Sequence, residues 1–399
     1  MVPQVWVDTT GWAFPYPLVR MAGGSVAAYV HYPTISTDML GRVRDRTATF
    51  NNDMDVAGSA AKSGLKLAYY QLFALVYGFV GSFANVVMVN SSWTKRHVAS
   101  LWGHRQGRPL LVYPPADTAA LQALPLDRRL KRVYIISVAQ FRPEKDHKMQ
   151  LRAFAAARAV AARCGDPTAA DAMASARLQL VGGCRGPDDE ARLEELKKIA
   201  YEELGLGPDS VEFRVNVSFE ELRDLLGDAI AGLHSMVDEH FGISVVEYMA
   251  AGAVPIANNS GGPREDIVVP EAVVGLGRSR SPSSEFERVS AREKQHQAST
   301  RRNSGGGALT ISSPTALRSA SQQQQLQQRT GFLCSTVEQY TDAIVEVVKM
   351  DQVARLQMAA AARRQAAAFS DERFKEGFMK AMEPVLPRVV DVDERNRDD

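Results

Sequence analysis

The sequence predicts an α/β fold in two domains, each a parallel sheet covered by helices. Two observations carry that prediction. Short β-branched runs alternate with helix-compatible stretches almost throughout, the pattern left by parallel strands and their crossover helices. The 399 residues also exceed what one core sustains, since single cores stop growing at roughly 250–300 residues.

In the first part, strands are expected at Val5–Asp8, Val26–Val30, Val86–Asn90 and Leu110–Tyr113. Leu67 to Thr94 holds no charged residue, longer than the ~18 apolar residues of a membrane-span candidate. Gly78, Gly81, Ser82 and Asn85 interrupt it, and Val86 to Val89 reads as a strand. The segment therefore predicts a buried helix and a strand, with a helix leaning on a membrane surface as the alternative. Pro114-Pro115 and the polar stretch to Arg132 form a linker, which puts the domain boundary near residue 127.

In the second part, strands are expected at Val133–Val138, Leu178–Val181, Val211–Arg214, Ala229–His234 and Val254–Ala257. The clearest helices are Met149–Ala162, Glu190–Glu203, Ser218–Leu226 with a Ser218/Glu221 capping box, and Ile243–Ala251 stopped by Gly252. The domains are thus 1–126 and 127–370, with a disordered insertion at 275–328, rich in Ser, Arg and Gln. A helix at 371–387 crosses back towards the first domain, and 388–399 is a tail. Four strands are few for a nucleotide-type domain, so the first domain is expected to be incomplete, with part of it preceding Met1.

Bulk properties narrow the partners. With 47 Lys and Arg against 46 Asp and Glu there is no global field for nucleic acid. Cys164, Cys184 and Cys334 have no pairing or metal spacing, which suits a reducing compartment such as the cytosol. The N-terminus lacks the order of a signal peptide.

The strongest chemical signal is Asp238-Glu239-His240-Phe241-Gly242-Ile243-Ser244-Val245-Val246-Glu247, with two glutamates eight apart across a helix start. Glu239 precedes the helix and Glu247 lies within it, so both can face one crevice at the carboxyl end of the preceding strand. Ionised carboxylates accept strong hydrogen bonds from adjacent sugar hydroxyls. Gly242 lets a ligand approach the helix N-terminus, whose open N–H groups suit a diphosphate.

Glu239, seven residues, Glu247, then Ala250-Ala251-Gly252 and Gly261-Gly262-Pro263 resembles the retaining glycosyltransferases with two facing Rossmann-like domains, the GT-B type. Tyr29-Val30-His31-Tyr32-Pro33-Thr34-Ile35-Ser36-Thr37-Asp38-Met39-Leu40, Val89-Asn90-Ser91-Ser92-Trp93-Thr94 and Gln140-Phe141-Arg142-Pro143-Glu144-Lys145-Asp146-His147 are similar to one branch. That branch is the GDP-mannose-dependent α-1,2-mannosyltransferases of the dolichol-diphosphate-linked oligosaccharide pathway.

The resemblance implies that Glu239 approaches the donor sugar and Glu247 binds the ribose hydroxyls. Lys145 and Arg142 hold the diphosphate, with Gln140 standing where many relatives carry the arginine. His31 touches the transferred sugar across the cleft. Phe241, Gly242 and Ile243 form the donor-side helix start, and Gly261 and Gly262 let the backbone approach the donor. It further implies retention, with the departing phosphate deprotonating the acceptor, and no required metal or other cofactor. The partners it implies are GDP-mannose, the dolichol-linked oligosaccharide, a membrane surface on the cytosolic face of the endoplasmic reticulum, and other mannosyltransferases of the pathway.

Other readings are set beside this one. Asp53-Met54-Asp55 has a metal-type spacing but sits in a polar loop and reads as solvated. Gly182-Gly183-Cys184-Arg185-Gly186 lacks the full dinucleotide fingerprint and reads as a turn, which argues against an oxidoreductase. A non-catalytic nucleotide-sugar-binding or scaffold protein is the second function class. Tyr69-Tyr70-Gln71-Leu72-Phe73, preceded by Lys62 and Lys66, is the candidate membrane contact. Met236 and Tyr248 read as core.

Overall fold

The computed structural model describes residues 3–35, 60–103, 109–127, 132–269 and 329–386. Ser36 to Leu40, Asp53 to Asp55, the 275–328 insertion and the 388–399 tail lie outside the described residues.

The first sheet holds β1 (Val5–Asp8), β2 (Ser25–Val30), β3 (Val86–Val89) and β4 (Leu110–Leu111), parallel and in sequence order. Helices α1 (Tyr16–Met21), α2 (Ala60–Gly81) and α3 (Ser92–Trp102) share these connections. Period-two alternation sorts the side chains of β2: Val26, Ala28 and Val30 join Tyr16, Tyr77 and Trp102 in one cluster, while Ala27 and Tyr29 join another.

α2 departs from the expected buried helix. Tyr77 and Val80 are buried, but Tyr69, Leu72, Leu75 and Phe79 are 60, 62, 72 and 59% exposed. Those four recur at helical spacing, so the second face of an apolar helix has no cover among the described residues. Gly78 and Gly81 do not break the helix. A Cβ at Gly78 would lie 2.2 Å from the Leu101 carbonyl oxygen, and one at Gly81 would enter the Trp102 ring, so they let α3 pack closely.

After α4 (Thr118–Gln122), the second sheet is built from β5 (Tyr134–Val138), β6 (Arg177–Gly182), β7 (Val211–Val215), β8 (Ala229–His234), β9 (Val254–Asn258) and β10 (Phe332–Cys334). All pairs are parallel, in the order β10-β9-β8-β5-β6-β7. Counted from β5, this is the doubly wound order 3-2-1-4-5-6, which reverses direction between β5 and β8. β10 was not expected from sequence.

The covering helices are α5 (His147–Arg163), α6 (Pro167–Ser175), α7 (Pro187–Lys198), α8 (Phe219–Asp228), α9 (Ile243–Ala251), α10 (Val337–Lys349) and α11 (Gln352–Ala366). α8 starts as expected, with Ser218 accepting from the Glu221 N–H, and α9 ends at Gly252 in the left-handed region. The last helix, α12 (Asp371–Met382), packs on the first sheet. There Ala381 and Met382 join Tyr29, Val86 and Met88, and the Phe374 ring lies 5.9 Å from Tyr29.

Candidate functional site

Where a doubly wound sheet reverses direction, the strand ends part and leave a crevice outside their carboxyl ends. β5 and β8 are those strands here. Tyr248 closes the crevice from below: its hydroxyl accepts from the Val138 N–H at 2.7 Å and donates to the Leu233 carbonyl at 3.2 Å. The ring fits because Gly232 has no Cβ, which would sit 2.2 Å from it. Tyr248 is core, as its sequence context indicates.

Above that plug, the loops after β5 and β8 bring Lys145 to Glu239. The Lys145 ammonium donates to Glu239 Oε2 at 2.7 Å, and His234 Nε2, from the last residue of β8, meets the same oxygen at 3.1 Å. Burial alone would push the Glu239 carboxyl up. The His234 hydrogen bond and the charges of His234 and Lys145 outweigh that and hold it well below the usual carboxylate range. Met236 is a correction to the core reading: it is half-buried, and its Sδ lies 3.1 Å from Lys145 Nζ.

Backbone devices fix these loops. Asp146 and Asp238 adopt left-handed φ of 45° and 57°, which aspartate tolerates better than most residues. Asp146 then caps α5, accepting from the Met149 N–H. Ser235 donates to the Lys145 carbonyl at 2.6 Å, tying the β8 loop to the β5 loop. The Asp238 N–H donates to Ser260 Oγ at 2.7 Å, tying it to the loop after β9.

Gly261 and Gly262 serve this packing. A Cβ at Gly261, whose φ is +58°, would lie 2.2 Å from the Glu239 carbonyl oxygen, and one at Gly262 would lie 2.3 Å from that of Phe241. The room they leave is filled by the Glu239 loop itself rather than by open cleft. Phe241, expected at the donor-side helix start, has its side chain in the core. Its ring is buried between Tyr113 and Phe369, at 5.8 and 5.4 Å, and its main chain packs against Gly262.

Gly242 is at φ +107°, and no side chain caps the α9 that follows it. The leading N–H groups of that helix are therefore left for an anion. Ile243 is 42% exposed beside them. Glu247, one turn further along α9, is half-buried and has no hydrogen-bond partner among the described residues. Burial, and then the charge of Asp117, raises its pKa.

His31 follows β2 directly, its ring opens to solvent beside Tyr29 at 4.9 Å, and desolvation by its surroundings lowers its pKa. It lies within electrostatic reach of His240, the neighbour of Glu239. Arg142 is exposed at the start of the Pro143–Lys145 turn, and no ion pair holds its side chain among the described residues. The structure therefore gathers Glu239, Lys145 and the α9 start tightly, with Arg142 at the rim.

Sequence reasoning missed the contacts that join the two sheets here. The His240 ring stacks on Tyr32 at 4.0 Å and lies parallel to Trp93 at 5.7 Å. Ser92 donates its N–H and hydroxyl to Asp266 at 2.9 and 2.6 Å, and the Tyr113 hydroxyl adds a third donor at 3.0 Å. Tyr32 and Trp93 stood in resembling motifs, yet nothing local assigned them a partner about 150 to 210 residues away. His234 was also missed, since a histidine ending an apolar strand looks like core. Among the described residues, no cluster of three His, Cys, Asp or Glu side chains could hold a metal ion.

Residues 1–102 match the family described as ALG11 mannosyltransferase N-terminus, and residues 125–275 match glycosyl transferases group 1. A mouse protein named GDP-Man:Man(3)GlcNAc(2)-PP-Dol alpha-1,2-mannosyltransferase is 39% identical over 392 residues, covering 96% of this chain and 66% of that protein. The human protein of the same name is 38% identical, with the same coverage, and the Dictyostelium discoideum protein is 35% identical over 96% of this chain and 64% of its own length. The chain thus spans just under two thirds of these curated relatives.

Sucrose-phosphate synthase from Thermosynechococcus elongatus superposes at a TM-score of 0.60 and 16% identity, over 96% of this chain and 73% of its own. An E. coli trehalose-6-phosphate structure bound with UDP-2-fluoro glucose gives 0.60 at 12% identity, over 97 and 75%. These likenesses speak for the fold of two Rossmann-like domains. By sequence and by fold, the chain belongs to the group 1 glycosyltransferases of GT-B type, in the branch that carries the ALG11 mannosyltransferase N-terminus.

Proposed function

We propose that this chain transfers mannose from GDP-mannose, in α-1,2 linkage and with retention, to a dolichol-diphosphate-linked oligosaccharide. The observation that carries the reading is the Lys145–Glu239 pair at the β5/β8 crevice, with Glu247 eight residues on along an uncapped helix start. Donor and acceptor are those in the names of relatives that are 35–39% identical along 96% of the chain.

The chemistry follows from the charges. Glu239 accepts hydrogen bonds from mannose hydroxyls, Glu247 accepts from the ribose, and His31 meets the transferred sugar from the first sheet. Of the three N–H donors of Lys145, two are taken by Glu239 and Met236, and the third serves the diphosphate together with Arg142 and the α9 start. The bond from the anomeric carbon to the diphosphate oxygen breaks, and the acceptor oxygen bonds to that carbon on the same face. Its proton passes to the departing phosphate. The residues that neutralise the diphosphate are protein cations, so the reading asks for no metal or other cofactor.

The exposed stripe Tyr69, Leu72, Leu75 and Phe79 of α2 supports a membrane-surface role, because a lipid-linked acceptor stays in the bilayer. No helix among the described residues is long and apolar enough to cross a membrane. The reading places the chain on the cytosolic face of the endoplasmic reticulum, beside other enzymes of the pathway.

The test is transfer of radiolabelled mannose from GDP-mannose to the lipid-linked oligosaccharide by this chain and by Glu239→Ala. Transfer that depends on Glu239 supports the reading. GDP binding without transfer leaves a nucleotide-sugar-binding module, and absence of GDP binding removes the donor assignment.

A further inference from the structure

We propose that His234 is a positioning residue for Glu239, pinning Oε2 so that Oε1 is presented to the donor sugar. This rests on the glycosyltransferase reading. A carboxylate only accepts hydrogen bonds, at about four lone-pair sites over its two oxygens. Oε2 receives both the Lys145 ammonium, at 2.7 Å, and the His234 ring, at 3.1 Å. Among the described residues, Oε1 receives only the His240 N–H, at 3.2 Å. One acceptor site on Oε1 remains for a ligand hydroxyl.

The case for a purpose behind the imidazole comes from its surroundings. His234 ends the apolar strand β8, is 4% exposed, and its carbonyl accepts from the Tyr340 hydroxyl at 2.7 Å. Because Glu239 cannot donate, the proton of the bond sits on Nε2. Nδ1 is then buried with no hydrogen-bond partner among the described residues. A strand end that strands one ring nitrogen gains nothing in stability from histidine over an aliphatic residue. Among the described residues, the sole side-chain hydrogen bond that the imidazole makes there is the one to Glu239.

The geometry also explains why one donor is not enough. Lys145 comes from the loop after β5 and has a competing role at the diphosphate, whereas His234 comes from the rigid strand that Glu239 follows. When Lys145 shifts towards a bound diphosphate, His234 still fixes the carboxylate plane. The charged or titratable groups facing Glu239 are then Lys145, His234 and His240, with Asp238 and His31 behind His240.

His234→Gln keeps an N–H near the Nε2 position, and His234→Asn, one methylene shorter, withdraws it. Transfer is measured against pH for both variants and the wild type, beside GDP affinity and melting temperature. The expected result is that His234→Asn lowers kcat about 30-fold, with donor KM within threefold, and moves the acid limb of the profile to higher pH, while His234→Gln restores both. Equal kcat and equal acid limbs in the two variants would overturn the proposal. If the wild type itself transfers no mannose, the activity reading fails separately. Titration of the Glu239 carboxylate by infrared difference against Glu239→Gln then decides: protonation at higher pH in His234→Asn supports positioning, and an unchanged titration overturns it.

Discussion

Glu239 and Glu247 are the same residue type at two ends of one nine-residue segment, and the protein treats them in opposite ways. Around Glu239, three elements supply donors, and the carboxylate is held ionised before any ligand arrives. Around Glu247, α9 supplies burial and no donor, and its pKa is raised. The difference separates two kinds of recognition. On the proposed reading, a group that must face developing charge in the transition state works best preorganised, whereas one that only grips the ribose can leave its hydrogen bonds to the ligand.

Removing the organised carboxylate should have the largest effect. Glu239→Ala is expected to lower kcat by roughly 10²–10³-fold, with GDP affinity changed only severalfold, as measured by steady-state transfer and calorimetry. A comparable loss appearing in KM instead would show that Glu239 grips the ground state, the role proposed for Glu247, and the contrast would collapse. Next in size is Gly261→Ala. The added methyl meets the Glu239 backbone at 2.2 Å in a left-handed conformation, so it should cost about 1–3 kcal/mol of stability and displace Glu239 from Lys145. Chemical denaturation checks the first, and loss of transfer beyond the fraction unfolded checks the second.

Much of this was legible in the sequence, for physical reasons that differ by residue. Apart from β10, the strands of both sheets follow from short apolar runs rich in β-branched residues, and α9 from its apolar face, the Gly242 entry and the Gly252 stop. The positions of Glu239 and Lys145 were legible because motif spacing puts them in the loops after strands, and that of Glu247 because it falls in the helix that follows. The partners were not. That Lys145 spends its charge on Glu239, that Gly261 opens space for a loop rather than a ligand, and that Phe241 turns into the core are outcomes of tertiary packing between segments about 20 to 130 residues apart. The exposed face of α2 was legible only as the membrane-surface alternative, because the apolar stretch that follows Lys66 reads first as buried unless its surroundings are known.

A smaller effect should come from Leu75→Glu on that face. Leu75 is 72% exposed, so the fold should tolerate the charge, while flotation with vesicles of neutral and anionic phospholipid should fall severalfold. Unchanged flotation would assign the stripe to another partner.

The pH dependence sharpens the carboxylate comparison most finely, and its sign differs between the two. Glu239 has a depressed folded pKa, so it contributes stability that is present above the ordinary carboxylate value of ~4.3 and is lost as pH falls through the folded value. Glu247 has a raised folded pKa. It favours the folded state only at low pH, and that contribution is withdrawn as pH rises through the raised value. At neutral pH and without donor, Glu247→Gln should therefore melt at or slightly above the wild type, by about 1 kcal/mol or less, because a partly buried unpaired charge has been removed. The same substitution should raise the donor KM about tenfold, since the ribose hydroxyls lose a charged acceptor. Glu239→Gln should instead lose stability at neutral pH and lose progressively less of it as the pH is lowered. A Glu247→Gln protein less stable than wild type at pH 7 would mean that this carboxylate, too, is held by the protein, and that the division between prearranged and ligand-completed recognition does not run between these two residues.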